Sequence, residues 1–315
     1  MRKTLGVVTC LLFYISCFCQ PLKEHEGFVK VEGGKIWYKV VGHGSGVPLL
    51  LIHGGPGARS CSGIPQYSLL ANERPVIFYD QLGSGLSDIP TDTALWRLQR
   101  FVNEIDSLRK HLRLTQLHIL GHSWGGAVLI EYLLTKKPKG IRSAIFAGPL
   151  LSTSLWIKDA KKLLAMLPRH IQDTINKYES EENYQSPSYL VATDSFYARF
   201  LSVKQWPMAV NAECEKGLSG NLQVYNYMWG PTEFTATGTL LNFDRTNRLK
   251  ELRQPVLFIG GRYDEARPET LKQFQQMVPH SRLVIIENAG HNTAVDQPVP
   301  FTNAVRKFMQ YAESR

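Results

Sequence analysis

"LHILGHSWGG", residues 117–126, decides how the rest of the chain is read. An apolar run suited to a buried strand stops at Gly121. "AVLIEYLLTKK" then continues as an amphipathic helix that ends before Pro138. Strand, sharp turn and helix start within ten residues is the setting in which G-x-S-x-G carries chemical meaning. Within it, "GHSWG" (121–125) strains the backbone of Ser123, and Gly121 and Gly125 let strand and helix approach closely. The serine oxygen is lifted clear of the sheet, at a helix N-terminus whose dipole favours developing negative charge. The bland alternative is an ordinary N-cap serine.

A serine hydroxyl is a poor nucleophile without a base, and the base needs a carboxylate to orient it. Two later strands supply both. "QPVLFIGG" (254–261) runs into "GRYDEARP" (261–268), which offers Asp264, and "SRLVIIEN" (281–288) runs into "NAGHN", which offers His291. Both positions fall at carboxyl ends of strands, where open parallel sheets collect their sites, and the order Ser123, Asp264, His291 suits this strand–turn–helix context. The rivals fit less well. His122 points elsewhere on the turn and reads as structural, His118 lies inside a strand, and His170 and His280 lie in or beside helical stretches. Glu265 competes with its neighbour Asp264, while Asp296 follows His291 and breaks the order.

Upstream, "HGGPG" (53–57) follows the apolar strand 48–52. Its glycines let the N–H of Gly54 or Gly55 face a substrate carbonyl, with the N–H of Trp124 as the second oxyanion donor. Glycines needed only for a tight turn are the alternative. "DQLGSGLSD" (80–88) has glycine spacing like a nucleotide loop but lacks a third glycine, a following lysine and a helix. It reads as a structural turn beside the site.

Further outward, "GFVKVEGGKIWYKVVG" (27–42) reads as a hairpin around Gly33-Gly34. Residues 95–112 place Leu95, Leu98, Phe101, Val102, Ile105, Leu108 and Leu112 on one helical stripe. From about 150 to 245 the pattern turns helical and rich in Tyr and Trp. Strand–helix alternation resumes at 254 and ends in a helix over 298–312. The expected class is α/β: a mostly parallel central sheet with helices on both faces. The core spans 20–149 and 246–315, and a helical cap, 150–245, sits over the strand ends. With 315 residues, 43% of them hydrophobic, the chain can bury a core of that size.

Net charge is +9, but the basic residues are scattered, which marks a solvated surface and excludes a nucleic-acid partner. "MRKTLGVVTCLLFYISCFCQ" sets two charges before an apolar run, Leu5–Cys19, too short for a confident membrane span. It suits a secretory signal over 1–19, so the protein is expected to be exported, periplasmic or secreted. "YISC" (14–17) gives a second reading, a lipid anchor on Cys17, and an uncleaved leader is the third; membrane contact is expected through these alone. Cys61 and Cys214 remain in the mature chain. Their spacing makes no metal motif, and sequence leaves open whether they pair or stay thiols. No metal or cofactor is implied.

Together "HGGPG", "DQLGSGLSD", "GHSWGG", "MWGPTEF" and "GRYDEARP" resemble the prolyl aminopeptidase (proline iminopeptidase) family of α/β-hydrolases, over nearly the whole chain from Gly27. The resemblance implies a serine exopeptidase acting on short peptides with a free N-terminus. Acids at Glu233 in "GPTEF" and Glu265 in "YDE" would bind the substrate's α-amino group, while Asp264 orients His291. A bound ammonium would offset the repulsion between the adjacent acids. Arg267 is placed to pair with either acid, and Trp206, Tyr227 and Trp229 are candidates for an apolar wall. The less familiar sequence of the cap leaves the preferred N-terminal residue open. The alternatives are an esterase, lactonase or amide hydrolase with the same triad, and a non-catalytic ligand receptor on the same fold.

Overall fold

The computed structural model describes residues 22–204, 214 and 220–315. The leader reading for 1–19 lies outside them. Eight strands form one sheet in the order β1-β2-β4-β3-β5-β6-β7-β8. They are β1 His25–Val31, β2 Gly34–Val41, β3 Leu49–Ile52, β4 Val76–Tyr79, β5 Leu117–His122, β6 Ile141–Ala147, β7 Val256–Gly261 and β8 Ser281–Ile286. The pairs β1–β2 and β2–β4 are antiparallel; every other pair is parallel. Strands β3, β4 and β7 are buried along their whole length, as continuous apolar runs require when helices cover both faces. The chain passes from β3 to β4 on one side and then crosses to β5 on the other. The carboxyl ends of β3 and β5 therefore flank the point where the winding reverses, the place such sheets keep their ligands.

The striped helix begins at Leu98 rather than Leu95. Asp92 accepts a bond from the Ala94 N–H (2.9 Å) and holds Thr93–Leu95 as a separate tight turn. Phe101, Val102, Ile105 and Leu108 then face the core as the stripe requires. The helix Trp124–Lys136 departs from the sequence reading, because every residue from Trp124 to Leu134 is buried. It is not amphipathic; it runs through the interior and stops where Lys137 turns left-handed before Pro138.

Between β6 and β7 lie helices Thr153–Leu164, Arg169–Ser180, Pro187–Phe200 and Leu222–Met228. The first three pack into a cluster of their own, with Leu163, Ile175, Tyr189, Phe196, Phe200 and Phe234, while Trp156 of the first and Val224 and Met228 of the fourth join the cluster on one face of the sheet. An antiparallel bridge between Ser152 and Asp244 closes the base of this insertion. A disulfide between Cys61 and Cys214 ties it to the segment after β3, so the pairing left open by sequence is made. The two cysteines are 153 residues apart, and in a chain-entropy picture a bridge over so long a loop contributes up to about 5 kcal/mol. Among the described residues no helix is long and apolar enough to cross a membrane.

Candidate active site

Ser123 follows β5 at φ 54°, ψ −121°, a strained conformation for any residue with a Cβ. Its surroundings enforce it: Ser123 N–H donates to the Ala147 carbonyl (3.0 Å), and its own carbonyl accepts from Gly126 (2.8 Å) and Leu150 (3.0 Å). A Cβ on Gly121 would lie 2.3 Å from the Gly125 carbonyl oxygen, and one on Gly125 2.2 Å from that of Ile52. The close approach foreseen for these two glycines is therefore real. As the first residue of its helix, Trp124 has an N–H with no intrahelical partner.

His291 and Asp264 meet as the chain order requires. His291 Nδ1–H donates to Asp264 Oδ1 at 2.7 Å, with both side chains buried. Asp264 also accepts from the N–H groups of Ala266 (2.8 Å) and Gly261 (3.3 Å), which fix its rotamer. Gly148, at φ +49°, makes room for the pair: a Cβ there would lie 2.8 Å from Asp264 Oδ2 and 2.9 Å from His291 Nδ1. The insertion takes part in placing the imidazole, since the His291 and Asn292 N–H groups donate to the Phe200 and Leu201 carbonyls, each at 2.7 Å.

The rival residues do structural work. His122 Nε2–H donates to the His291 carbonyl at 3.1 Å, and burial, then the neighbouring His291, pulls the pKa of His122 down to about 4, so it stays neutral. His118 is buried against Ser143 and Glu313. Asp296 accepts from Ser202, Val203, Lys204 and Gly290, joining the end of the insertion to the loop before His291. Burial alone would lower the pKa of His291; Asp264 most of all, then Glu265 and Glu233, override that and push it up to about 9.

The two predicted acids come together, unequally. Glu233 lines a cavity of about 260 Å³ shared with Ser123, His291, Gly54 and Gly55. Its carboxylate accepts from the Tyr225 hydroxyl at 2.6 Å. Glu265 is 2% exposed and does not itself line the cavity; it bears on it through its electrostatic interaction with Glu233 and His291. Both its carboxyl oxygens are buried without a hydrogen-bond partner among the described residues. Burial, then the Glu233 charge, holds Glu265 well above the usual carboxylate range, and burial raises Glu233 as well. Tyr197 and Tyr225 are held protonated by burial and by the same two acids. The two acids and the two tyrosines form one largely buried, oxygen-rich group.

Arg267 turns away from it, to Asp159 (3.7 Å) on helix Thr153–Leu164 and to Glu269 (3.0 Å). Of the proposed aromatic wall, Trp206 lies outside the described residues. Tyr227 is 40% exposed and packs edge-on against Trp96, away from the acids. Trp229 is buried behind Trp156, whose ring meets that of His291 edge-on at 5.3 Å. The residues sequence reasoning missed are thus Trp156, Tyr197 and Tyr225. The tyrosine that matters lies two positions before the one singled out, on another face of its short helix.

The turn after β4 is structural, as expected, and it braces the segment after β3 and the indole of Trp124. Gln81 Nε2 donates to the His53 carbonyl (3.2 Å), while Gln81 Oε1 accepts from Trp124 Nε1 (2.9 Å). Asp80 accepts from the Ser60 N–H (2.7 Å) and the Leu86 N–H (2.9 Å).

Comparison with known proteins agrees with this geometry. A family model described as the alpha/beta hydrolase fold matches residues 47–298. A proline iminopeptidase from Heyndrickxia coagulans is 42% identical over 288 residues, covering 90% of this chain and 98% of the relative. One from Clostridium botulinum is 33% identical, covering 91% and 99%. The crystal structure of the Mycobacterium smegmatis proline iminopeptidase superposes with a TM-score of 0.81 at 29% identity, covering 91% of this chain and 98% of that one. The crystal structure of VinJ superposes at 0.83 with 28% identity, covering 93% and 99%. With a relative 42% identical over 90% of its length and the family model matched from 47 to 298, this chain belongs to the proline iminopeptidase family of α/β-hydrolases.

Proposed function

We propose that the chain is a serine exopeptidase that releases the N-terminal residue, proline or another, often apolar, residue, from short peptides. The observation that carries this reading is the buried carboxyl of Glu265, without a hydrogen-bond partner among the described residues, beside Glu233 on the wall of the cavity that holds Ser123 and His291. A buried polar group left without a partner is costly, and a substrate ammonium resolves that cost. With the ammonium held there, only the first peptide carbonyl comes within reach of Ser123.

In this mechanism the ammonium settles against Glu233 and draws Glu265 into its charged form. His291 takes the Ser123 proton as the oxygen attacks the carbonyl, and the imidazolium leans on Asp264. The N–H groups of Gly54 or Gly55 and of Trp124 hold the oxyanion, each such donor contributing about 3 kcal/mol. His291 then gives its proton to the leaving amine, and water, deprotonated by the same ring, hydrolyses the acyl-enzyme to free the amino acid and Ser123.

A panel of aminoacyl arylamides, each with a free and an acetylated amino group, tests the reading. Cleavage confined to the free amines is expected. Equal cleavage of both forms would leave a serine hydrolase of the esterase or amidase kind without amine recognition. Fluorophosphonate labelling separates catalysis from an inert receptor.

The pKa of His291 carries its own test. The ring must be neutral to accept a proton, and its pKa near 9 means that activation rises through alkaline pH in the empty enzyme. Labelling of Ser123 by an uncharged fluorophosphonate is therefore expected to be half-maximal near pH 9. In Glu233→Gln the midpoint moves to lower pH, because a negative charge favouring the imidazolium has gone. An unmoved midpoint would show that the acid does not act on the ring. An exported location follows the same line: the leader supports it, and so does a disulfide, which persists in oxidising compartments.

A further inference from the structure

We propose that Glu179 is a positioning residue that holds Glu233 on the cavity wall; this rests on the amine-binding reading above. Glu233 lies in the turn Thr232–Thr235, closed by a bridge between its two threonines. A turn this short has little side-chain packing of its own and needs anchors to fix one residue in place. Glu179, in the last turn of helix Arg169–Ser180, grips both ends of it. Glu179 Oε1 accepts from Thr232 Oγ1 at 3.1 Å, and Oε2 accepts from Thr235 Oγ1. The Tyr189 hydroxyl, from helix Pro187–Phe200, donates to the same Oε1 and ties the carboxylate to the core of the insertion.

The other anchors of the turn agree. Trp229 Nε1 donates to the Thr232 carbonyl at 2.8 Å. Phe234 is buried against Phe196, with ring centroids 4.6 Å apart, so the residue after Glu233 is turned into the insertion while Glu233 stands on the cavity wall. The choice of residue follows from donor arithmetic. Three hydroxyls can all donate to an ionised carboxylate, which has only acceptors. Glutamine offers one acceptor oxygen and two donor hydrogens, so at least one hydroxyl must turn round, and alanine offers nothing.

The test is a double-mutant cycle read as the ratio of kcat/KM for a free-amine aminoacyl arylamide to that for its acetylated twin. Glu179→Ala is expected to lower this ratio about tenfold, mainly through KM, and Glu179→Gln about threefold, as the conservative change keeps part of the network. In a Glu233→Gln background, Glu179→Ala should lower the ratio no further, because Glu179 acts through Glu233. A ratio kept in Glu179→Ala alongside a lower melting temperature would overturn the proposal and leave a structural role alone. So would an effect that simply adds to that of Glu233→Gln. Should Glu179→Ala fail to fold, Thr235→Val cuts one end of the turn and carries the same prediction. If Glu233→Gln itself spares the ratio, the amine reading falls and takes this proposal with it. If Glu233→Gln collapses the ratio and Glu179→Ala does not, this proposal alone falls.

Discussion

Ser123→Ala is expected to lower kcat by about 10⁴-fold or more, with the melting temperature unchanged within a degree or two. The loss is large because no other oxygen can form the acyl-enzyme, and a histidine base without its nucleophile contributes little. The fold should survive because the strained turn is held by backbone bonds, from Ser123 N–H to Ala147 and from Gly126 and Leu150 to the Ser123 carbonyl, which alanine keeps. Fluorophosphonate labelling should vanish in parallel. Undiminished turnover in a preparation free of host peptidases would refute Ser123 as the nucleophile.

Glu233→Gln should have the next largest effect: a fall of about 10²–10³-fold in kcat/KM on free-amine substrates, and far less on acetylated ones. Removing one partner of a desolvated charge pair costs about 3–5 kcal/mol, because the stripped ammonium is left uncompensated. Glu265→Gln should fall short of that. Burial and the Glu233 charge hold the Glu265 carboxyl well above the usual carboxylate range, so its ionised form is already disfavoured and a neutral glutamine costs less there. Equal losses on the two substrate forms would mean that these acids support the fold and not the recognition of an N-terminus.

The placing of the candidate triad at one end of the sheet was legible in sequence because a parallel sheet writes it there. Each strand is a short apolar run, and the residues just past β5, β7 and β8 must gather at one edge, so Ser123, Asp264 and His291 could be placed without coordinates. The insertion is written differently. A helical stripe tells which face is buried, but not which residue of that face reaches across space to another element. Trp156, Tyr197, Tyr225 and Glu179 act through such reach, and nothing in their spacing marks them. Glu233 was found only because "GPTEF" resembles a known motif. The Cys61–Cys214 bridge joins positions 153 residues apart, beyond any local pattern. Arg267 was misassigned for a related reason: nearness in sequence to Glu265 says nothing about Asp159, contributed by a different helix, which captures it.

The two glutamates answer to different packing units: Glu265 to the sheet, through the loop after β7, and Glu233 to the separate apolar cluster of the insertion. Substitutions in that cluster away from Phe200 and Leu201, whose carbonyls hold the His291 and Asn292 N–H groups, can therefore retilt one half of the recognition site while the Asp264–His291 pair stays where it is. Descendants of such a chain can diversify in diet without reinventing chemistry, and a laboratory seeking new selectivity should randomise that cluster before touching the sheet.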